Sequence, residues 1–326
     1  MDLSVIIPSH NEPELIARLL RSLQEACPPK LGWEVLVVDN NSSSDVIPTL
    51  REIVGSFSLP LRHLSEPMTG KSRAVNLGIR EARGKFTAFL DHDVVAHPGY
   101  LVGIEESIAR FPHKVFGGRV LPVWPSPPPK WVTGGQPLRT SRGPIVAHDY
   151  GDSPRPYDGN MRLPVGCNFF CQRALFEQYG LFDVRLGPGS GKGHMGGEEI
   201  QLLSRFRAGG ERIFYTPVVA VDHPVEPERM TKAFFRYRVF CAGRSSPYIV
   251  QKTFPSLFGI PRFLYRRLAT TVLRNLAALV SFNSIKIFDR QLDLCEIFGV
   301  MYEYRRLHCN GFSLGGKVAE PMDLPR

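Results

Sequence analysis

Lys85 to Asp93 reads KFTAFLDHD. Phe86 to Leu90 is a short, nearly continuous apolar run, and it stops at Asp91-His92-Asp93. A run of that length without polar alternation fits a strand buried on both faces, as in a parallel sheet with helices above and below. Two carboxylates and a histidine at its tip put the chain's polar chemistry where the strand ends.

The residues upstream repeat the pattern. Leu3 to Ile7 is a β-branched run closed by Pro8. Asn11 is placed to cap the helix that follows, with Glu14 three residues on and Leu15, Ile16, Leu19, Leu20 and Leu23 along one face. Glu34 to Val38 is a second buried strand, ending at Asp39-Asn40-Asn41-Ser42, and Gly70 to Gly84 is a helix-like block with glycine past its end. Strands alternating with helices predict an α/β fold with a Rossmann-like, mostly parallel sheet flanked by helices. In such sheets ligands bind outside the carboxyl ends of the strands. The polar segments at Pro8 to Glu12, Asp39 to Asn41 and Asp91 to Asp93 are therefore expected to meet in one crevice.

The chain has 326 residues and a net charge of +9. Arg229 to Arg290 alone holds twelve Lys and Arg against one acid, Asp289, a net of +11. An excess of that size points to an anionic partner. No recognised nucleic-acid motif accompanies it, so no nucleic-acid partner is expected. The two basic helical stretches here include IPRFLYRRLATTVLRNLAALVSF, where Arg262, Arg266, Arg267 and Arg274 interrupt every apolar run. That rules it out as a spanning helix and suits one lying on an anionic membrane. The six cysteines form no zinc-type cluster with histidines, and the N-terminus lacks a secretory leader. A reducing, cytoplasmic location is expected, peripheral on the inner face of the cell membrane. Leu121 to Pro164, rich in Pro, Gly and aromatics, is expected to be a long ordered flap with little regular structure. Trp124 and Trp131 lie within it, as packing residues or as sugar-stacking ones.

Asp91 and Asp93, at i and i+2 on a strand-end turn, can share a hard divalent ion such as Mg²⁺ or Mn²⁺. A D-x-D pair alone is common, but here it has company. VIIPSHNE, VVDNNSSSD, GKSRAVNLG, AFLDHD and GGEEIQLLSRFRAGGERIFYTPVVAVDH follow one another in the order and rough spacing of the family 2 glycosyltransferases with the GT-A fold. The chain resembles that family over roughly residues 3–245.

The resemblance implies a set of roles. Pro8, His10 and Glu12 match the first-strand motif that touches the nucleoside, and Asp39 matches the acid that binds the base, commonly uracil. Lys71, Arg73 and Asn76 match the block flanking the nucleotide phosphates; the first two are also suitable cationic donors. Asp91 and Asp93 match the metal motif, Asp93 as the more direct ligand, and His223 matches a histidine completing the metal and diphosphate site. Glu198-Glu199 stands where the family has Glu-Asp. That implies Glu199 as the catalytic base, one methylene longer than the pattern, with Glu198 as the alternative. Arg236, Arg238 and Arg244 follow His223 closely enough to reach donor or acceptor phosphate. His92 is expected to be structural or a minor sugar contact.

The expected activity is metal-dependent, inverting transfer of a sugar from a nucleotide-diphospho-sugar, UDP-linked in many of the family, to a glycan or polyprenyl-diphosphate-linked acceptor. The Q-x-x-R-W motif of processive members is absent, so single-sugar transfer is expected. The expected division is a catalytic domain over 1–225 and a basic amphipathic helical tail over 226–326. Two rivals remain. A sugar nucleotidyltransferase would open with a glycine-rich basic loop after the first strand, where this chain has PSHNEPE. A non-catalytic membrane-associated scaffold would have no need of Asp39, Asp91, Asp93, Glu199 and His223 together.

Overall fold

The computed structural model describes residues 1–133, 144–158, 161–190 and 195–311. Its first third alternates strands and helices: β1 (Leu3–Ser9), α1 (Pro13–Glu25), β2 (Trp33–Asp39), α2 (Val46–Ser56), β3 (Leu61–Ser65), α3 (Lys71–Glu81) and β4 (Phe86–Leu90). β5 (Val95–Ala96), α4 (Tyr100–Arg110), β6 (Val115–Val123), α5 (Lys130–Thr133), β7 (Arg155–Pro156) and β8 (Asn168–Gln172) follow. Then come α6 (Leu175–Tyr179), α7 (Glu198–Ala208) and β9 (Ile213–Pro224).

The strands form one sheet in the order β3-β2-β1-β4-β8-β6-β9-β5, with β7 on β9. β3, β2, β1 and β4 run parallel; β8 is antiparallel to both β4 and β6, and β6 and β9 run parallel. The sheet is therefore mostly parallel, as expected. Successive residues of β1 serve opposite faces: Leu3, Val5 and Ile7 join the core under α1 and α4, while Ile6 joins the core under α3 and α7. Every β1 residue is buried, which is why the strand reads as a continuous apolar run.

Asn11 does not cap α1. It takes a left-handed conformation, φ 57°, and ties the turn after β2, its side-chain oxygen accepting from the Ser43 amide (2.7 Å) and its own backbone amide donating to the Ser42 hydroxyl oxygen (2.9 Å). Glu12 occupies the cap without a side-chain bond, and Pro13 starts the helix with φ preset. The flap is more regular than expected: β6 runs into it, α5 and β7 lie within it, and His148 bridges to Val120. Residues 134–143 and 159–160 of the flap, and 191–194 of the glycine-rich run, lie outside the described residues. Trp131 packs edge-on against Phe235 and Phe288, so within this fold it holds the flap.

A 3₁₀ turn (Pro227–Met230) leads from β9 into α8 (Lys232–Val250); a small hairpin, β10 (Ser256–Leu257) and β11 (Ile260–Pro261), precedes α9 (Arg262–Val280) and α10 (Ser284–Cys309). Among the described residues no helix is long and apolar enough to cross a membrane. Contacts advance together along α8 and α10, from Phe235 with Phe288 to Tyr248 with Arg306, so these two run parallel. α9 runs back against α10, with Asn275 bonded to the Arg290 carbonyl near its end and Arg267 to Glu296 further back. α8 and α10 approach to backbone contact: a Cβ on Gly243 would fall 2.2 Å from the Glu296 carbonyl oxygen, and one on Gly299 2.1 Å from that of Phe240. The helices share core with the sheet half. Phe235, Val239, Phe288 and Leu292 pack with Val132, Ile145 and Val225, and Tyr248 and Leu307 pack with Leu186 and Met195. The change at residue 226 is one of element type; the packing continues across it.

Candidate functional site

β1, β2 and β4 end side by side, with Ser9 paired to Asp39 in the β1–β2 register. Asp39 is buried there, its Oδ1 accepting from the Ser42 amide at 3.2 Å. His10 is exposed and locks the two strand ends together, its Nδ1 2.8 Å from the Asn40 carbonyl. Asn40, quoted in the strand-end motif but given no role from sequence, holds the loop before α3: its Nδ2 donates to the Met68 carbonyl (2.9 Å) and its Oδ1 accepts from the Gly70 amide (2.7 Å).

Lys71 begins α3 and reaches into the crevice. Its ammonium lies 2.5 Å from Asp91 Oδ1 and 3.7 Å from Glu198 Oε1. Burial disfavours this ammonium, but Asp91, Glu198 and Glu199 together outweigh burial and raise its pKa. Burial likewise opposes ionisation of Asp91, and Lys71 overrides it to leave that carboxyl below its usual range. Asp91 is thus an ion-pair partner of Lys71 in this structure. Arg73, half-buried on the same helix, donates to the Met68 sulfur at 3.6 Å. Asn76 does not face the crevice. Its amide is used on both sides by Phe182, donating to that carbonyl (2.9 Å) and accepting from that amide (3.0 Å). With Ser72 bonded to the Leu186 carbonyl (2.8 Å), Asn76 pins the loop after α6.

Glu198 and Glu199 open α7. Gly197 precedes them at φ 89°, and a Cβ there would meet Ile249 at 2.8 Å, so only glycine lets the chain turn into the helix beneath α8. Glu198 is buried, with no hydrogen-bond partner for Oε2 among the described residues. Glu199 lies partly open over Gly166, where a Cβ would stand 3.5 Å from its carboxyl carbon. Burial, and then the neighbouring Glu198, push the Glu199 pKa up to about 8, with Lys71 opposing. Lys71, Asp91, Gly166, Glu198 and Glu199 line a single narrow cleft with Pro8 at its edge.

Asp93 stands apart from Lys71. Its Oδ2 is 3.6 Å from His223 Nε2 and 3.6 Å from an Arg229 nitrogen, while its buried Oδ1 has no partner among the described residues. His223 Nδ1 is 3.1 Å from the Pro224 carbonyl, an acceptor only, so Nδ1 carries the proton. In the neutral ring, Nε2 then turns a lone pair toward a carboxylate. Among the described residues no group of three or more His, Cys, Asp or Glu is placed to hold a metal. Asp93 and His223 could supply two ligands. That donor set fits an ion whose remaining positions are filled by phosphate oxygens and water, the usual mode for Mg²⁺-like ions.

His92 points away from this pair. Its ring spans the Pro8 carbonyl at Nδ1 (3.2 Å) and the Glu12 carboxylate at Nε2. Burial opposes its charge, but Glu12, Asp93 and Asp91 raise its pKa, and its bond to Glu12 lowers that of the carboxyl. Glu12 is therefore held by His92, which staples β1 to β4.

Of the three arginines expected near phosphate, Arg238 faces the site, with Glu198 and Arg229 among its charged neighbours. Arg236 donates to Gln291 (2.9 Å) over the Phe288 ring, and Arg244 to the buried Glu303 (2.9 Å); both serve α8–α10 packing. Sequence reasoning missed Arg229, the first cation after the strand that ends beyond His223. It also missed Arg18, which donates to the Asp93 carbonyl at 2.9 Å, and Arg162, a charged neighbour of Glu199.

The family model described as glycosyl transferase family 2 matches residues 4–180. Glycosyltransferase AglE of Haloferax volcanii is 34% identical over 127 residues, 38% of this chain and 40% of that protein. The aligned stretch thus spans well under half of that relative. In structure, mannosyltransferase PcManGT from Pyrobaculum calidifontis, solved with GDP-Man and Mn²⁺, superposes with a TM-score of 0.59 at 15% identity, over 92% of this chain and 86% of that one. S. aureus TarS 1-349 gives 0.54 at 16% identity over 95% and 92%, and has also been solved with UDP-GlcNAc. At such identities the structural likeness establishes the GT-A fold.

Proposed function

The chain belongs to glycosyl transferase family 2, and on that premise we propose that it transfers one sugar from a nucleotide-diphospho-sugar, UDP-linked, to a hydroxyl of a glycan or polyprenyl-diphosphate-linked acceptor, with inversion. The observation that carries this reading is the placing of two unlike centres at one strand end: a carboxyl of raised pKa at Glu199 in the cleft that Asp91 lines, and, two residues on from Asp91, an Asp93–His223 pair whose Oδ1 has no partner among the described residues. Two structural neighbours, solved with GDP-Man and Mn²⁺ and with UDP-GlcNAc, support a nucleotide-sugar donor and a divalent ion.

In this reading Asp39 receives the base and His10 flanks the nucleoside. Asp93 and His223 would hold a Mn²⁺ or Mg²⁺ ion, with Asp91 as a further candidate ligand. Such an ion would supply positive charge beside the departing diphosphate. Arg229 and Arg238 add fixed charge on the same side. Glu199 takes the proton of the acceptor hydroxyl as its oxygen attacks the anomeric carbon and the bond to the diphosphate breaks; a base with a pKa near working pH suits that task. The basic C-terminal helices are the surface toward an anionic membrane, on the cytoplasmic face, where a lipid-linked acceptor would be met.

Calorimetric titration of UDP, GDP and dTDP, each with Mn²⁺ and with EDTA, tests the donor half. Metal-dependent binding of one nucleotide supports it. No binding under any condition would turn the reading toward a scaffold on the same fold.

A further inference from the structure

α9 shows the sheet-side helix α10 a line of residues seven apart, Leu264, Thr271 and Ala278, all buried. Two positions on from each lies the opposite, outward line: Arg266, Leu273 and Val280. That line changes character along its length. Its first half is basic, with Arg262 and Arg266 exposed; its second half is apolar, with Leu273, Leu276, Leu279 and Val280 exposed, Val280 at 76%. The turn into α10 then presents Phe282 at 92% exposure. Phe282 has φ 50°, a left-handed conformation that glycine or asparagine fills far more readily than an aromatic residue. Folding gives no reason for phenylalanine there.

Four cations ring this tip or lead to it: Arg262, Arg266, Arg274 and Lys286, none with an acidic partner among the described residues. A second copy docked face to face would oppose these cations to themselves, whereas an anionic bilayer would meet them with the opposite sign and bury the apolar tip. The tip also lies at the end of the bundle nearer to Arg229 and Asp93, opposite the end where Ile249 packs over Gly197. α8 and α10 run parallel, so the α9–α10 turn sits beside the start of α8, where the Lys232 ammonium lies 5.3 Å over the Phe288 ring. Two residues before α8 comes the turn from which Arg229 reaches Asp93.

We propose that the α9–α10 tip, Leu273, Leu276, Leu279, Val280 and Phe282, is a wedge that enters the acyl boundary of an anionic bilayer. Arg274 and Lys286, beside it, rest on the lipid headgroups. This deepens, and rests on, the reading of the basic helices as a membrane-facing surface. It sets the crevice against the bilayer, so that a lipid-linked acceptor is used without leaving it.

The test is flotation of the full chain with vesicles of phosphatidylglycerol in phosphatidylcholine, and of phosphatidylcholine alone. The wild type is expected to float with the anionic vesicles. The combined variant Leu276→Asp, Val280→Asp and Phe282→Asp is expected to lose about tenfold or more in vesicle affinity. Phe258→Asp, at another exposed aromatic at the far end of the bundle, should change it by less than about twofold. Nucleotide binding should be the same in all three, which reads the donor site separately. Equal flotation of the combined variant and the wild type would overturn the wedge while leaving the membrane reading in place. A wild type that ignores anionic vesicles would overturn both. A wild-type dimer in light scattering that the combined variant dissociates, without vesicle binding, would make the tip a contact between copies.

Discussion

His223 turns its Nε2 toward Asp93 Oδ2 across 3.6 Å while its Nδ1 is committed to the Pro224 carbonyl. Arg229 stands at the same distance from that oxygen, and Asp93 Oδ1 has no partner among the described residues, so the carboxylate keeps an oxygen for a further cation.

Asp93→Ala and His223→Ala are therefore expected to abolish the gain in nucleotide affinity that Mn²⁺ confers, a loss of about tenfold or more, and to leave affinity in EDTA almost unchanged. Calorimetry of the matched pairs measures both. Equal Mn²⁺ dependence in either variant and wild type removes that residue from the metal site.

Glu199→Gln should keep donor affinity and lower transfer by about 10²- to 10⁴-fold. In the wild type, kcat/KM should rise with pH through about 8, because the Glu199 carboxyl must lose its proton before it can accept one. The Gln variant should lack this limb. If Glu198→Gln shows the larger loss and the altered profile, the base is the other carboxylate.

Lys71 opposes the upward push on Glu199, so Lys71→Met should move the acid limb of the kcat/KM profile to higher pH. The same change leaves Asp91 and Glu198 without their cation, an expected cost of about 3 kcal/mol or more in urea unfolding. A limb that stays in place would mean that Lys71 does not sense the base.

Asn76→Ala should cost about 2–3 kcal/mol, because it strips the buried Phe182 amide and carbonyl of their partners at once. Nucleotide affinity of the folded fraction should hardly change. A selective fall in affinity with unchanged stability would return Asn76 to the nucleotide.

The parallel half of the sheet was legible because strands buried on both faces leave an unmistakable apolar run, and each run ends in polar residues. Asp39, Asp91, Asp93, Glu198, Glu199 and His223 were legible for the same reason: they lie at or just beyond the ends of elements. β8 was harder to read, since nothing local in NFFCQ says that the strand is reversed between two parallel neighbours. α10 went unread because Glu, Arg and Asp are spread along a helix whose partners come from both α8 and α9. Partners across long separations were also out of reach. His92 meets Glu12 from 80 residues away, and Asn76 meets Phe182 from 106. Those contacts give Glu12 and Asn76 partners that brace the crevice. Arg236 and Arg244 were likewise indistinguishable from Arg238 until the parallel packing of α8 on α10 gave each a side.

The two glycines where α8 touches α10, Gly243 and Gly299, have a further consequence. Each leaves room for the other helix's backbone, so neither helix can be replaced by a sequence that lacks the matching gap. A chimera that grafts the last third of another transferase onto this sheet would have to import both helices as one cassette. It would also have to bring a residue shaped like Tyr248 to cover Leu186 and Met195. The helical third is therefore inherited together with the sheet half it packs against.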